Sequence, residues 1–462
     1  MKILNLTFYG FCVFAQIAFC ENLTPFNAKT NAEFNAESSV ESNEDLNAKS
    51  TPAPLESTKS TINDNATEDN GTQNTQDAQD AQNLDMTLPP PTQAHTQAKL
   101  AFLYNAGFDF LLDNIENTQS LLWDTRTRYA LRINGEVGLG IYGSHKLWLG
   151  GYGLQDMGQK RVFNAGGGIL AYYDYASGEG KLGSFSASLG ILPRKKLLKT
   201  YPKSFFRDDF LFFAPASNGV LLQYTKNAHT LESKNDTKEN ISAKAELLFD
   251  WFGGNLAKRD DEFFLLFGSE VRIKNSLNIG LDALVFHFKN SEVLGRDGAP
   301  LVNSNPDTFL LDRILYNGYV EVDFRGFVPA MAKHLQKAQI GLAALGQVER
   351  KRRLSGNEPF YIGAGYEARA KLEYKGFGIE ESYYFGKPQM RYFSQYKDLV
   401  YEGLPFYQRE FNRVNAYYVY ENTFLRTQIS LYFYSFGGNL ATQQMLEFSI
   451  NTDKITKSKK LR

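Results

Sequence analysis

Ile362-Gly363-Ala364-Gly365-Tyr366-Glu367-Ala368-Arg369-Ala370-Lys371-Leu372-Glu373-Tyr374-Lys375 is the stretch whose reading decides the fold. Its even-numbered positions are Ile, Ala, Tyr, Ala, Ala, Leu and Tyr, and its odd-numbered ones are Gly, Gly, Glu, Arg, Lys, Glu and Lys. A period of two places these sets on opposite faces of a β-strand, one wholly apolar and the other consecutively charged. A soluble core has no use for that charged face. A water-filled barrel in a membrane requires it, because the apolar side meets lipid while the charged side meets an aqueous lumen.

The alternation recurs along the chain. Tyr129, Leu131, Ile133, Val137 and Leu139 alternate with Arg128, Arg132, Asn134 and Glu136; Ala243, Ala245, Leu247, Phe249 and Trp251 alternate with Ser242, Lys244, Glu246 and Asp250. Phe263, Leu265, Phe267, Val271 and Ile273 oppose Glu262, Glu270, Arg272 and Lys274, and Ile314, Tyr316, Val320, Val322 and Phe324 oppose Asn317, Tyr319, Glu321, Asp323 and Arg325. Leu425, Ile429, Leu431 and Phe433 oppose Arg426, Gln428, Ser430, Tyr432 and Tyr434. The competing fold is a soluble β-sandwich with one wet face per sheet.

This pattern predicts strands near 100–112, 125–141, 145–157, 167–177, 181–194, 219–228, 241–252, 261–274, 277–289, 312–326, 337–350, 359–375, 377–387, 413–421, 423–436 and 441–450. The expected fold is all-β: a single closed antiparallel transmembrane β-barrel of about 16 strands, with fourteen or eighteen also open, over residues 98–453. Short turns fall around Tyr142 to His145, Ala176 to Gly180, Lys274 to Asn278, Lys375 to Phe377 and Glu421 to Thr423. Long connections fall at 113–124, 195–218, 290–311 and 388–412, as expected when turns face the periplasm and loops face outward. The segments 229–240 and 327–336 are longer than that scheme wants, and the first strand is weak in its pattern.

Outside the barrel the chain changes character. Met1 and Lys2 followed by the apolar Ile3 to Phe19, with Ala18 and Cys20 before Glu21, read as a cleaved signal peptide over 1–20. Both cysteines, Cys12 and Cys20, lie in it, so the mature chain has no thiol for a disulfide, a metal or a nucleophile. Residues 21–97 are polar and acidic, with thirteen Asp and Glu against Lys29, Lys49 and Lys59, and close on Leu88-Pro89-Pro90-Pro91. Such a composition cannot bury enough apolar surface to offset chain entropy, and it is expected to be disordered. The formal charge of −1 therefore joins an acidic segment to a mildly basic barrel. Residues 454–462 form a basic tail through Lys454, Lys457, Lys459, Lys460 and Arg462.

Taken together, residues 98–453 resemble outer-membrane β-barrels of the general porin type, by architecture and without a diagnostic motif. The resemblance implies a cell outer membrane location, an aqueous channel for small hydrophilic solutes or ions, and a loop after the fifth strand folded inward to narrow it. Here that loop is Lys195 to Ser217, in which Lys195, Lys196, Lys199, Lys203, Arg207, Asp208 and Asp209 stand among Tyr201, Phe205, Phe206, Phe210, Phe212 and Phe213. So many rings are costly on a solvated loop, and it is expected to pack into the lumen or against the wall. The pore-lining candidates are Lys203, Arg207, Asp208 and Asp209 from the loop and Arg128, Arg132, Arg272, Arg325, Glu367, Arg369, Lys371 and Glu373 from the wall. Their balanced signs imply mild anion preference at most. Outer-membrane lipid and lipopolysaccharide would surround the barrel, a homo-oligomer is open, and no feature beyond the basic tail suggests nucleic acid. The chain departs from the porin pattern in lacking a terminal aromatic residue.

Tyr172, Tyr173, Tyr175, Tyr383, Tyr384, Phe385, Tyr417, Tyr418, Tyr420, Tyr432, Phe433 and Tyr434 cluster near strand ends and are expected to form aromatic girdles at the headgroup level. The five histidines are scattered, no Gly-x-Ser-x-Gly or His-Glu-x-x-His occurs, and no enzymatic activity or cofactor is expected. The alternative function is a non-conducting barrel acting as an adhesin through its long loops, above all Met390 to Phe411 with its aromatic and arginine content. Glu68-Asp69-Asn70-Gly71-Thr72 reads as an Asn-glycosylation acceptor at Asn70.

Overall fold

The computed structural model turns each alternating stretch into a strand and closes them into a ring. It describes residues 100–452, apart from 118–124, 159–162, 164, 179, 181–182, 227–240, 252–261, 275, 291–308, 354–355, 390–402 and 409. The expected signal peptide, the acidic segment with Asn70 and the basic tail lie outside the described residues.

The strands are β1 (Leu100–Asn117), β2 (Arg126–Ile141), β3 (His145–Asp156), β4 (Gly166–Ala176), β5 (Ser184–Pro193), β6 (Ala216–Lys226), β7 (Ile241–Trp251), β8 (Phe263–Ile273), β9 (Leu277–Asn290), β10 (Phe309–Asp323), β11 (Lys337–Arg353), β12 (Gly356–Asn357), β13 (Tyr361–Tyr374), β14 (Phe377–Gly386), β15 (Phe411–Glu421), β16 (Leu425–Phe436) and β17 (Asn439–Asn451). β12 is two residues long and pairs only with the end of β11, while β13 pairs with the body of β11. The other sixteen strands form the barrel, each antiparallel to its neighbour, and β1 closes it by pairing with both β2 and β17. Closure leaves no unpaired edge, which is what a sheet needs in a lipid environment. The weakly patterned first strand is nevertheless the longest of all, paired with β2 from Leu100 to Ile115 and with β17 from Gly107 to Asn117.

Parity follows the pattern read above. On β13, Ile362 and Tyr366 are 57% and 52% exposed on the outer face, whereas Glu367, next to Tyr366, is 1% exposed on the inner face. The outer face is apolar around the ring, with Leu149, Ile169, Leu189, Leu281, Leu342 and Phe433 all exposed. One end of the barrel carries tight turns. Lys375 and Gly376, with φ of 49° and 84°, form a two-residue hairpin between the paired Tyr374 and Phe377. That end also carries the 324–336 connection, which contains the short helix Pro329–His334. The other end carries long connections, except for the Gly437-Gly438 turn before β17.

The aromatic girdle needs correction. Phe385, Tyr418, Tyr420 and Phe433 are exposed on the outer face, but Tyr172, Tyr384, Tyr417, Tyr432 and Tyr434 are buried on the inner one. Consecutive strand residues point to opposite faces, so a run such as Tyr432-Phe433-Tyr434 cannot all meet lipid. Arg325 is likewise displaced from the wall. β10 ends at Asp323, and Arg325 sits in the following turn, where its Nε donates to Asp323 at 2.9 Å.

Candidate functional site

The connection after β5, residues 194–215 and here termed L3, folds into the barrel. At its start, Arg194 pairs with Asp250 of β7 and donates to Ala214 O at 2.6 Å, tying the two stems of the loop together. The backbone N–H groups of Leu198 and Lys199 donate to Glu246 at 2.8 and 3.1 Å, and the Tyr201 hydroxyl donates to the same carboxylate at 2.9 Å. Burial, reinforced by the Glu246 charge, pushes the Tyr201 hydroxyl well above the usual tyrosine range, so it remains a donor. Lys199 reaches further, to Asp282 of β9 and to Ser269 O of β8 at 2.7 Å.

The far side of L3 is anchored on β2. Asp209 accepts from Arg128 at 3.1 Å and Arg126 at 3.4 Å, and Arg132 donates to Leu211 O at 2.6 Å. L3 thus runs across the interior from β7–β9 to β2. Its rings go with it: Tyr201, Phe205, Phe206 and Phe210 are buried against inner-face residues Phe264, Leu266, Leu284, Phe286, Phe288, Phe309 and Leu311. This is the inward packing that its aromatic content predicts.

A second loop also enters. In the 387–410 connection, here termed L7, Leu404, Phe406 and Tyr407 are buried against Leu111, Ile115, Tyr384, Phe411, Tyr434, Phe436 and Met445. The Leu404 N–H donates to Lys203 O at 2.7 Å, so L7 rests on L3. The Tyr407 hydroxyl donates to Glu367 at 2.7 Å and, like that of Tyr201, is held far above its usual range by burial first and then by Glu367. Phe406 lies 4.5 Å, centroid to centroid, from both Tyr434 and Phe436. This corrects the expectation of a surface patch at 390–411: Phe406, Tyr407 and Phe411 face the interior, and Arg391, Tyr392, Phe393, Tyr396, Tyr401 and Arg409 lie outside the described residues.

Below both loops, toward the tight-turn end, a cavity of about 360 Å³ remains. L3 contributes Leu198 to Lys203, and the wall contributes inner-face residues from β7 to β15. Seven cationic side chains, Lys199, Lys203, Lys244, Arg272, Arg369, Lys371 and Arg413, stand against five carboxylates, Glu270, Asp282, Glu321, Glu367 and Glu380. Most are paired: Lys244 with Glu270 at 3.3 Å, Lys371 with Glu380 at 2.6 Å, Arg413 with Glu380 at 3.0 Å, and Arg369 with Glu367. Tyr319 lies across Gly280, where a Cβ would stand 2.3 Å from its ring, and donates to Glu270 at 3.1 Å. Such a lining is wet, charged and nearly balanced. Among the described residues no group of three His, Cys, Asp or Glu is placed to hold a metal ion.

Five of the twelve candidate residues, Lys203, Arg272, Glu367, Arg369 and Lys371, line this cavity. Arg128, Arg132, Arg207, Asp208 and Asp209 anchor L3 instead: Arg207 pairs with Asp209 at 3.2 Å, Arg132 with Asp109 at 2.8 Å, and Lys203 reaches back to Asp208. Glu373 bonds Lys337 and Tyr417 near the tight-turn rim. Sequence reading passed over Asn278, Asp282, Glu380 and Arg413. On β9 the signal was available, since Asn278, Gly280 and Asp282 alternate with Ile279 and Leu281.

No protein-family model matches the chain, and no curated protein matches its sequence. Solved structures with a similar fold include OmpF of Salmonella typhi in complex with daunomycin (TM-score 0.39, 12% identity, 76% of this chain and 98% of that one). An anion-selective porin from Comamonas acidovorans (TM-score 0.40, 12% identity, 76% and 100%) is also similar, as is a loop-deleted OmpT, an outer membrane protein of Vibrio cholerae (TM-score 0.42, 10% identity, 76% and 99%). The strand pairing itself carries the fold: sixteen antiparallel strands closed around an inward third loop.

Proposed function

We propose that this chain is an outer-membrane channel for passive diffusion of small hydrophilic solutes or ions, delivered by its signal peptide and narrowed by L3. The observation that carries the reading is the course of L3 through a closed barrel, from Glu246 and Asp282 on one wall to Arg128 and Arg132 on the other, above a charged cavity. A barrel whose outer face is apolar and whose interior carries paired charges fits lipid outside and water within. The seven cations against five carboxylates of the cavity support mild anion preference. The test is the conductance of the purified mature protein in a planar bilayer under a salt gradient. Reproducible unit openings are expected, with a reversal potential displaced toward the anion; a folded barrel that conducts nothing would overturn the reading.

The burial of L7 favours one other reading, a barrel that is closed at rest. In that case deletion of residues 403–408 is expected to convert a silent barrel into a conducting one. The adhesin reading loses Phe406, Tyr407 and Phe411, which would have to leave the interior to meet a partner.

A further inference from the structure

The outer face of β9–β11 breaks the apolar rule at one level. Along β11, Ile340, Leu342 and Val348 face outward, and the next two outward positions are Arg350 and Arg352. The β10 position beside Arg350 is Asp312, and the β9 position beside Asp312 is His287. All three bases converge on one carboxylate: Arg352 Nε lies 2.7 Å from it, His287 Nδ1 2.9 Å, and Arg350 Nε 3.4 Å. Among the described residues Asp312 is the one carboxylate that Arg350 and Arg352 both reach, so two guanidinium groups share a single negative charge. One positive charge is left over.

The register shows where in a membrane this cluster would stand. A continuous row of paired residues runs Trp251, Phe263, His287, Asp312 and Arg350 across β7 to β11. The Trp251 and Phe263 rings stack at 6.3 Å, Phe263 stacks on His287 at 5.2 Å, and the Arg350 guanidinium lies 4.4 Å from the exposed Phe360 ring. Tryptophan with other rings marks the height of lipid headgroups, where an amphipathic ring has one wet side and one apolar side. On the tight-turn side of the row the outer face is apolar again, with Leu265, Val285, Ile314 and Val348. The cations therefore stand at the rim of the apolar band, at the long-loop end, where phosphate groups of a lipid would be.

We infer that Arg350 and Arg352, positioned by Asp312 and His287, form a binding site on the outer wall for the phosphate of an anionic lipid headgroup. Two guanidinium forks held side by side match phosphate oxygens bidentately, which a lysine pair would not do. Asp312 keeps both forks oriented while balancing only one of their two charges. The site rests on the membrane reading above, but not on conduction.

The test uses the mature protein reconstituted in phosphatidylcholine vesicles, after flotation has shown that it inserts. Association of spin-labelled phosphatidic acid and spin-labelled phosphatidylcholine with the barrel is compared from their motionally restricted fractions. The native barrel is expected to prefer phosphatidic acid at least threefold, and Arg350→Gln with Arg352→Gln to remove that preference. Arg426→Gln, on the inner face, is expected to retain it. A barrel that floats but shows no preference, or keeps it in the double variant, overturns the lipid site alone. A barrel that does not float overturns the membrane reading together with the site.

Discussion

The two halves of the barrel interior are built from different materials. Toward the long loops the inner wall carries two apolar patches, Phe264, Leu266, Leu284, Phe286 and Phe309 under L3 and Leu111, Ile115, Tyr434 and Phe436 under L7. Toward the tight turns the same strands present Glu270, Arg272, Asn278, Asp282, Tyr319 and Glu321 to a cavity. One strand makes both: β8 passes from Phe264 and Leu266 to Glu270 and Arg272 within five inward positions. Where the interior is filled by loops it obeys the rules of a protein core, and where it is left open it obeys those of a wetted surface.

The comparison breaks most visibly if a charge is placed in the filled half. Phe264→Asp puts an unpaired carboxylate at a fully buried site, and this variant is expected to lose the folded barrel, read as loss of heat-modifiable migration in gels, while Glu270→Gln keeps it. Equal behaviour of the two would mean that the halves do not differ. Deleting residues 403–408 leaves every strand intact and removes the part of L7 that rests on L3, so at least a twofold rise in unit conductance is expected. Phe406→Ala tests the same contact more gently. Truncating a buried ring costs about 3–5 kcal/mol, and L7 is expected to come loose, with flickering openings between the native and deleted levels.

Smaller effects sharpen the open half. Lys203 lines the cavity whereas Arg207 is turned to Asp209, so Lys203→Gln is expected to reduce anion preference more than Arg207→Gln. Reversal potentials in a salt gradient decide the order. The smallest effect is alkaline. Tyr201 and Tyr407 have folded-state values raised above the tyrosine norm of about 10, so each stabilises the fold fully below that pH and loses its contribution as pH rises through the raised value. Ultraviolet titration of the folded barrel at pH 11 is expected to leave both unionised, and Tyr201→Phe to remove one of the resistant groups.

Most strand positions were legible because a half-buried strand repeats its environment every two residues, as in Tyr129 to Leu139 or Ile362 to Tyr374. The misplaced aromatic residues have one origin. Runs with no alternation, such as Phe263-Phe264-Leu265-Leu266-Phe267 or Tyr432-Phe433-Tyr434, are apolar on both faces, and parity alone does not say what covers the inner one. The girdle was overcounted for that reason. Continuous apolar runs within an alternating chain are the trace of loops packed inside, and they would have pointed to L7 as well as L3.

By itself, then, the sequence determined where the strands lie and which face of each is apolar and which is charged, since a period of two assigns alternate residues to opposite faces; closure into a barrel came from the strand pairing. The sequence also marked L3 as an inward loop, because seven charges and six rings cannot all be solvated cheaply. Tertiary structure alone decided which charges meet. Arg207 with Asp209, Tyr407 over Glu367, and Arg350 with Arg352 around Asp312 are brought together by strand register and loop docking, and these depend on contacts between residues far apart in the chain.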